Sequence, residues 1–144
     1  MNFPILSSLI ILPTIGAIFI LFGRSSSNYN AAKYVSLFIT FANFILSLYL
    51  WYTFDKTNSE FQFVEERIWL EGFINYKVGI DGISILFIIL TTFITTLCII
   101  SVNSTIKNRL KDFLVAILFM ETMMIGVFCS LDLVIFYLFF EAGL

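Results

Sequence analysis

Residues 131–144 read LDLVIFYLFFEAGL and place one carboxylate, Glu141, inside an apolar helix candidate. At ~1.5 Å per residue, Glu141 lies about 15 Å of helix beyond Leu131. That depth is close to the centre of a hydrocarbon layer about 30 Å thick. A charged group there costs about 3 kcal/mol or more, so an acid at this position indicates a functional group or a paired one.

The same stretch predicts an incomplete membrane span. A helix from Leu133 to Leu144 covers roughly 18 Å, whereas a spanning helix needs ~20 residues, or about 30 Å. The last helix would therefore end in mid-membrane, and we expect the 144 residues to form one membrane domain.

Composition identifies the chain as an integral membrane protein. Of its 144 residues, 60% are hydrophobic and 12% are charged. Its mean hydropathy is +0.99. Soluble domains carry about 25% charged residues. No Lys or Arg precedes the first apolar run, so we expect no cleaved signal peptide.

Cofactor chemistry is not expected on this chain. It has no histidine, and its two cysteines, Cys98 and Cys129, lie in separate apolar runs. Haem, zinc and iron–sulfur clusters need groups of His or Cys ligands. We predict no cofactor and no metal here, and two cysteines that act as small buried hydrophobic residues. The one basic cluster, Lys107–Lys111, is too short to indicate nucleic-acid binding.

Continuous apolar runs predict an all-α membrane protein with four transmembrane helices and a truncated fifth. The predicted spans are Phe3–Phe22, Tyr34–Phe54, Asp81–Val102, Phe113–Ser130 and Leu133–Leu144.

A short extramembrane hairpin is predicted between helices two and three. Its strands are Arg67–Leu70 and Phe73–Val78, on either side of Glu71-Gly72. An isolated hairpin is only marginally stable, so this one must rest on helix ends or on a neighbouring subunit. The acids of the segment are expected to form a solvated face: Asp55, Glu60, Glu65, Glu66 and Glu71.

Several polar residues have predicted structural roles. Asp81 is expected to cap span three, with a contact to another subunit as the alternative. Asp132 is expected to cap the last helix. Four threonines of span three share one face, where they serve either helix packing or a water-lined path. They are Thr91, Thr92, Thr95 and Thr96.

The distribution of basic residues predicts the orientation in the membrane. Loops 23–33 and 101–112 hold five Lys or Arg, whereas segment 55–79 holds three, diluted by acids. The positive-inside rule therefore puts the two basic loops inside, and the N-terminus and the hairpin outside.

Two intramembrane acids are the candidate site residues. Glu121 lies nine residues before Ser130 and Glu141 eleven residues after it, so both reach a similar depth. A membrane glutamate can carry a proton, or it can stay neutral and hydrogen-bond between helices for roughly 0.6–2 kcal/mol. Both readings stay open for Glu121. For Glu141, with Tyr137 one turn earlier, the proton relay is favoured, although no Lys or Arg lies inside the predicted spans to pair with it.

Three stretches carry a resemblance to a known family: Tyr76–Ser84 (YKVGIDGIS), Phe119–Glu121 (FME) and Asp132–Glu141 (DLVIFYLFFE). The chain resembles, over its whole length, the N-terminal part of the antiporter-like membrane subunits of respiratory NADH:quinone oxidoreductase (complex I). Within that family it is most similar to the M-type branch, which is called chain 4 in mitochondria.

The resemblance implies a larger subunit of about fourteen spans that moves protons while quinone is reduced elsewhere in the complex. This chain is then expected to be its N-terminal part, as a fragment, a truncated reading frame or one piece of a split subunit. Glu141 then matches a fifth-span glutamate that pairs with a lysine on the seventh span, beyond position 144. Glu121 is a second candidate proton site. The implied partners are the other membrane subunits of complex I, the lipid bilayer and the remainder of the same subunit, without nucleic acid.

The implied location is a bacterial or mitochondrial inner membrane. No independent proton pumping is expected of these residues alone. Two other functions remain open, a subunit of a multisubunit sodium/proton antiporter and a structural membrane protein whose buried glutamates stay neutral.

Overall fold

The computed structural model describes residues 4–22, 29–70, 74–105 and 110–143. Five helices and two strands follow one another as α1 (Ile5–Phe22), α2 (Tyr29–Thr53), β1 (Gln62–Leu70), β2 (Ile74–Ile80), α3 (Gly82–Thr105), α4 (Leu110–Cys129) and α5 (Leu133–Ala142). Helices α1 to α4 are long and apolar enough to cross a membrane, and α5 has ten residues. The predicted fold class is therefore confirmed.

The second helix begins earlier than the apolar run predicts. It starts at Tyr29, five residues before the predicted Tyr34, so Lys33 is helical rather than part of a loop. Ala31 and Ala32 are among the strongest helix formers, which explains why the helix extends beyond the apolar residues. The Lys33 side chain is buried, with 6% of its surface exposed.

The four long helices enclose two apolar clusters, one near each end of the bundle. The cluster at the end of the strands includes Leu6, Leu9, Leu50, Ile85, Ile88 and Ile125. The cluster at the opposite end is formed by Ala17, Ile20, Ile99, Val102, Leu114 and Leu118. Large apolar side chains such as Phe19 and Phe38 are exposed on the outside, as suits contact with lipid.

The two strands pair antiparallel, with Glu65 opposite Val78 and Ile68 opposite Asn75. Val78 and Ile80 are fully buried in the apolar cluster of the same end. The backbone N–H of Leu131 donates to the carbonyl of Lys77 at 2.9 Å. The strands therefore rest on helix ends of their own chain. The predicted turn at Glu71-Gly72 lies outside the described residues.

Both predicted aspartate caps are confirmed. Asp81 Oδ1 accepts from the backbone N–H groups of Ser84 at 2.8 Å and Ile83 at 3.1 Å. The bond from Ser84 is the main reason that the pKa of Asp81 lies below its usual value. Asp132 has an extended backbone and accepts from the N–H of Val134 at 2.8 Å, which caps α5.

One acid of the extramembrane segment does not belong to a solvated face. Glu65 accepts hydrogen bonds from the backbone N–H groups of Leu6 at 3.1 Å and Ser7 at 3.3 Å, and from the Ser7 hydroxyl. The Ser7 hydroxyl also lies 3.0 Å from the Tyr76 hydroxyl. Burial is the main reason that the pKa of Tyr76 is raised. Because free N–H groups at a helix start attract a carboxylate, Glu65 is held there rather than in solvent.

Candidate functional site

Glu121 is held in the interior of the helix bundle. It lies on α4, ten residues after Lys111 and eight before Cys129, the limits of that membrane span. Only 1% of its surface is exposed. Asn43, fully buried near the middle of α2, donates from Nδ2 to Glu121 Oε1 at 3.0 Å.

Two oxygens of this pair have no hydrogen-bond partner in the part of the chain that the structure describes. They are Asn43 Oδ1 and Glu121 Oε2, both buried. An unsatisfied buried acceptor costs about 1–3 kcal/mol. A proton on Glu121 Oε2 or a bound water molecule would give these oxygens a hydrogen-bond partner.

Further polar contacts cross the bundle close to this pair. The hydroxyls of Thr14 and Thr122 lie 2.9 Å apart and join α1 to α4. Those of Ser47 and Thr92 lie 3.0 Å apart and join α2 to α3. The bundle therefore has a polar layer between its two apolar clusters.

The threonine face of α3 is buried, as helix packing requires. Each hydroxyl donates to a carbonyl of its own helix, in the pairs Thr91 with Phe87, Thr92 with Ile88, Thr95 with Thr91 and Thr96 with Thr92. Such bonds satisfy the hydroxyl hydrogens within α3, and the burial of this face is what the predicted role in helix packing requires.

Sequence reasoning missed the corresponding face of α2. Five of its polar side chains are buried: Lys33, Ser36, Thr40, Asn43 and Ser47. They recur every three or four residues, which puts them on one side of the helix. That periodicity within an apolar span was the available signal for a partner of Glu121.

Glu141 lies on α5, eight residues after the helix begins at Leu133. Its side chain is exposed, and so is that of Tyr137, with 59% of its surface free. Within the described residues the Glu141 side chain makes no hydrogen bond, including to the Tyr137 hydroxyl. The structure therefore does not bring Glu141 into the buried layer that holds Glu121.

Residues that could hold a metal are not grouped in the described ranges, where no set of three His, Cys, Asp or Glu side chains comes together. Both cysteines are free, Cys129 buried and Cys98 exposed. The prediction that both are buried is wrong for Cys98, because it lies on the outer face of α3. The absence of a cofactor stays a prediction.

Four membrane-crossing helices with a buried glutamate at mid-span define the class: a multi-pass membrane protein with a candidate proton site. No family model matches the chain. It is 52% identical to NADH-quinone oxidoreductase subunit M of Rhodobacter capsulatus, over 78% of this chain and 22% of that protein. It is 41% identical to subunit M of Rickettsia prowazekii, over 99% of this chain and 30% of that protein.

A mitochondrial-type relative is similar to the same degree. NADH-ubiquinone oxidoreductase chain 4 of Marchantia polymorpha is 41% identical over 96% of this chain and 28% of its own length. The chain thus spans less than a third of each of these relatives. It is homologous to the N-terminal part of the family of subunit M and chain 4 proteins of NADH:quinone oxidoreductase, which confirms the resemblance.

Proposed function

We propose that this chain forms the N-terminal part of a proton-translocating subunit in the membrane portion of NADH:quinone oxidoreductase. The observation that carries this proposal is the 41–52% identity to subunit M and chain 4 proteins over 78–99% of the chain. The other subunits of that complex and the remainder of the same subunit are then its partners. Its location is a bacterial or mitochondrial inner membrane, with the N-terminus on the outer side.

Glu141 is the proton carrier in this proposal. Its side chain is exposed on a helix that packs against α4, so it is available to a partner outside these residues. An ionised carboxylate in lipid costs about 3 kcal/mol or more unless it is paired. A lysine from the remainder of the subunit would stabilise the ionised form, and its loss of charge would release Glu141 to take up a proton.

The experiment replaces Glu141 with Gln in the assembled complex. The substitution keeps the size and polarity of the side chain but removes the exchangeable proton. We expect NADH oxidation to lose its coupling to proton transport, measured as the pH change per NADH oxidised in sealed membrane vesicles. Glu60→Gln, at an exposed position outside the spans, is the matched control and should pump normally.

Wild-type proton transport in the Glu141→Gln complex would contradict the assignment of Glu141. The names of the relatives favour the oxidoreductase over the sodium/proton antiporter that the sequence leaves open. The third function, a structural protein with neutral glutamates, has an observation in its support only at Glu121, to which Asn43 donates a hydrogen bond between helices. In that case Glu121→Gln would leave proton transport unchanged.

A further inference from the structure

We propose that the polar face of α2 from Lys33 to Asn43 is a hydrated route by which protons reach Glu121. This inference rests on the proposed function in one respect only, namely that the chain takes part in proton transport. It adds a second site, Glu121, and an access path to it, neither of which depends on Glu141.

The geometry of α2 gives the route its direction and length. Lys33 lies near the start of the helix, and Asn43 comes ten residues later, about 15 Å along the axis. The start of α2 is at the end of the bundle where Lys111 Nζ donates to the carbonyl of Leu21 at 3.3 Å. The route therefore opens at the basic end and stops at mid-span.

The hydroxyls along this route are available to water as acceptors. Ser36 Oγ donates to the carbonyl of Ala32 at 2.8 Å, and Thr40 Oγ1 donates to that of Ser36 at 3.0 Å. Each hydrogen is thereby used within the helix, while the oxygen lone pairs remain free to accept. A file of water molecules can donate to them and pass a proton along.

The route ends at two buried oxygens, one of Asn43 and one of Glu121. Asn43 Oδ1 and Glu121 Oε2 are both acceptors, and both lack a partner among the described residues. Buried water is found where it makes about three hydrogen bonds to otherwise unsatisfied groups. Water at these oxygens can hand its extra proton to Glu121 Oε2, which leaves a neutral carboxyl group and a neutral water molecule.

Beyond Asn43 the same face of α2 is closed by direct contacts. Ser47 lies 3.0 Å from the Thr92 hydroxyl and also donates to the carbonyl of Phe44 at 2.6 Å. The Ser47 oxygen thus faces a side chain of α3, whereas the described residues place no side chain of another helix within hydrogen-bond distance of the Ser36 or Thr40 hydroxyl, although Ser47 is as buried as Ser36. This contrast supplies a control on the same helix face.

The test measures water along α2 by cysteine reactivity in the assembled complex. Ser36→Cys, Thr40→Cys, Ser47→Cys and Phe38→Cys are made singly in a chain whose two native cysteines are replaced by Ser. Silver ion is the probe, because it is about the size of water and reacts with the thiolate, which forms only where water reaches the sulfur. The unreacted thiol of this chain is then counted by alkylation, after the complex has been denatured and its subunits separated.

We expect the cysteines at 36 and 40 to react at least about tenfold faster than those at 47 and 38, because only the former face water. Phe38 faces outward toward lipid, with 75% of its surface exposed. Equal, slow reaction at all four positions would overturn the route. Equally fast reaction at 47 would contradict its end at Asn43.

A second measurement needs no substitution on α2. The infrared carboxyl band of protonated Glu121, identified by its loss in Glu121→Gln, should shift soon after transfer of the wild-type complex to heavy water. A band that resists exchange would refute the route.

Silver labelling does not require the complex to turn over, so the route and the proposed function can fail separately. If the cysteines on α2 react slowly while Glu141→Gln abolishes proton transport, the route is refuted and the role of Glu141 stands. If the cysteines at 36 and 40 react fast while Glu141→Gln transports protons normally, the role of Glu141 is refuted and the route stands.

Discussion

The roles of residues at helix ends can be predicted from their neighbours in sequence, whereas the partners of residues at mid-membrane cannot. Asp81 and Asp132 cap α3 and α5 through N–H groups two or three residues ahead, so both roles could be predicted from the sequence. The bond between Asn43 and Glu121 joins residues 78 positions apart. Only the packing of α2 against α4 creates it, and therefore the local sequence around Glu121 did not reveal its partner.

Asp81 carries a prediction about acid. Its pKa lies below 3.8, mainly because Ser84 donates a backbone hydrogen bond to the carboxylate. The ionised form is thus favoured in the folded chain, and its stabilising effect is complete above the ordinary pKa and is lost as pH falls through the lowered one. We expect the protection of the Ile83 and Ser84 amides, taken as the exchange rate relative to that of an unstructured amide at the same pH, to hold down to about pH 4 and to fall below it.

Two substitutions at Asp81 separate charge from capping. Asp81→Asn keeps an acceptor oxygen that does not titrate, so the exchange protection should lose its dependence on pH between neutrality and acid. Asp81→Ala removes the cap at a cost of about 1 kcal/mol and should leave both amides unprotected at every pH. Protection in the alanine variant equal to wild type would contradict the capping role.

At the scale of elements, the strands are tied to the helices by specific bonds. The apolar runs predicted four spans correctly because hydropathy alone sets them, but the start of α2 was missed because polar and Ala-rich residues extend it. The role of Glu65 was also missed, because it depends on α1 beginning beside β1. Elements were thus predictable from composition, and their contacts were not.

Glu65 makes the connection between β1 and α1 testable. Glu65→Ala removes the acceptor from the N–H groups of Leu6 and Ser7, whose loss costs about 1 kcal/mol by analogy with ordinary helix caps. We expect faster hydrogen exchange at both amides, measured by mass spectrometry on the assembled complex. Glu66→Ala, at the exposed next position, is the control and should leave them unchanged.

The packing of α5 on α4 depends on Gly126. A Cβ at this position would lie 2.5 Å from Cδ1 of the Phe139 ring, so any side chain forces the ring or the helix to move. Since Glu141 lies half a turn beyond Phe139 on the same helix, we expect Gly126→Ala to lower proton transport per NADH oxidised. Adding Phe139→Leu to the Gly126→Ala chain makes room for the new methyl group and should restore part of the lost proton transport.

Gly82→Ala is the matched control for Gly126→Ala, because a Cβ at Gly82 meets nothing within 4 Å. It should assemble and pump as the wild type does. Normal proton transport in Gly126→Ala would mean that the position of α5 does not matter for coupling, and it would weaken the assignment of Glu141 as well.

The whole molecule has two chemically different ends. At one end lie the strands and Glu65, together with the turn between α4 and α5, where Leu131 bonds to Lys77. At the other end Lys111 bonds to the last turn of α1. The polar layer with Asn43 and Glu121 separates them at mid-span. A proton entering at the basic end would therefore meet a buried carboxylate before it reached the opposite surface.

The difference between the ends predicts the orientation of the chain in the membrane. The positive-inside rule puts Lys111 and the basic loops on the inner side and the strands on the outer side. Ser59 and Asp112 are exposed at opposite ends, so each can carry a single cysteine in a chain whose Cys98 and Cys129 are replaced by Ser. In membranes sealed with the outer face exposed, we expect an impermeant maleimide to label Ser59→Cys and to label Asp112→Cys only after detergent is added. The reverse pattern would invert the orientation and make the Lys33 end of α2 the outer entrance to Glu121.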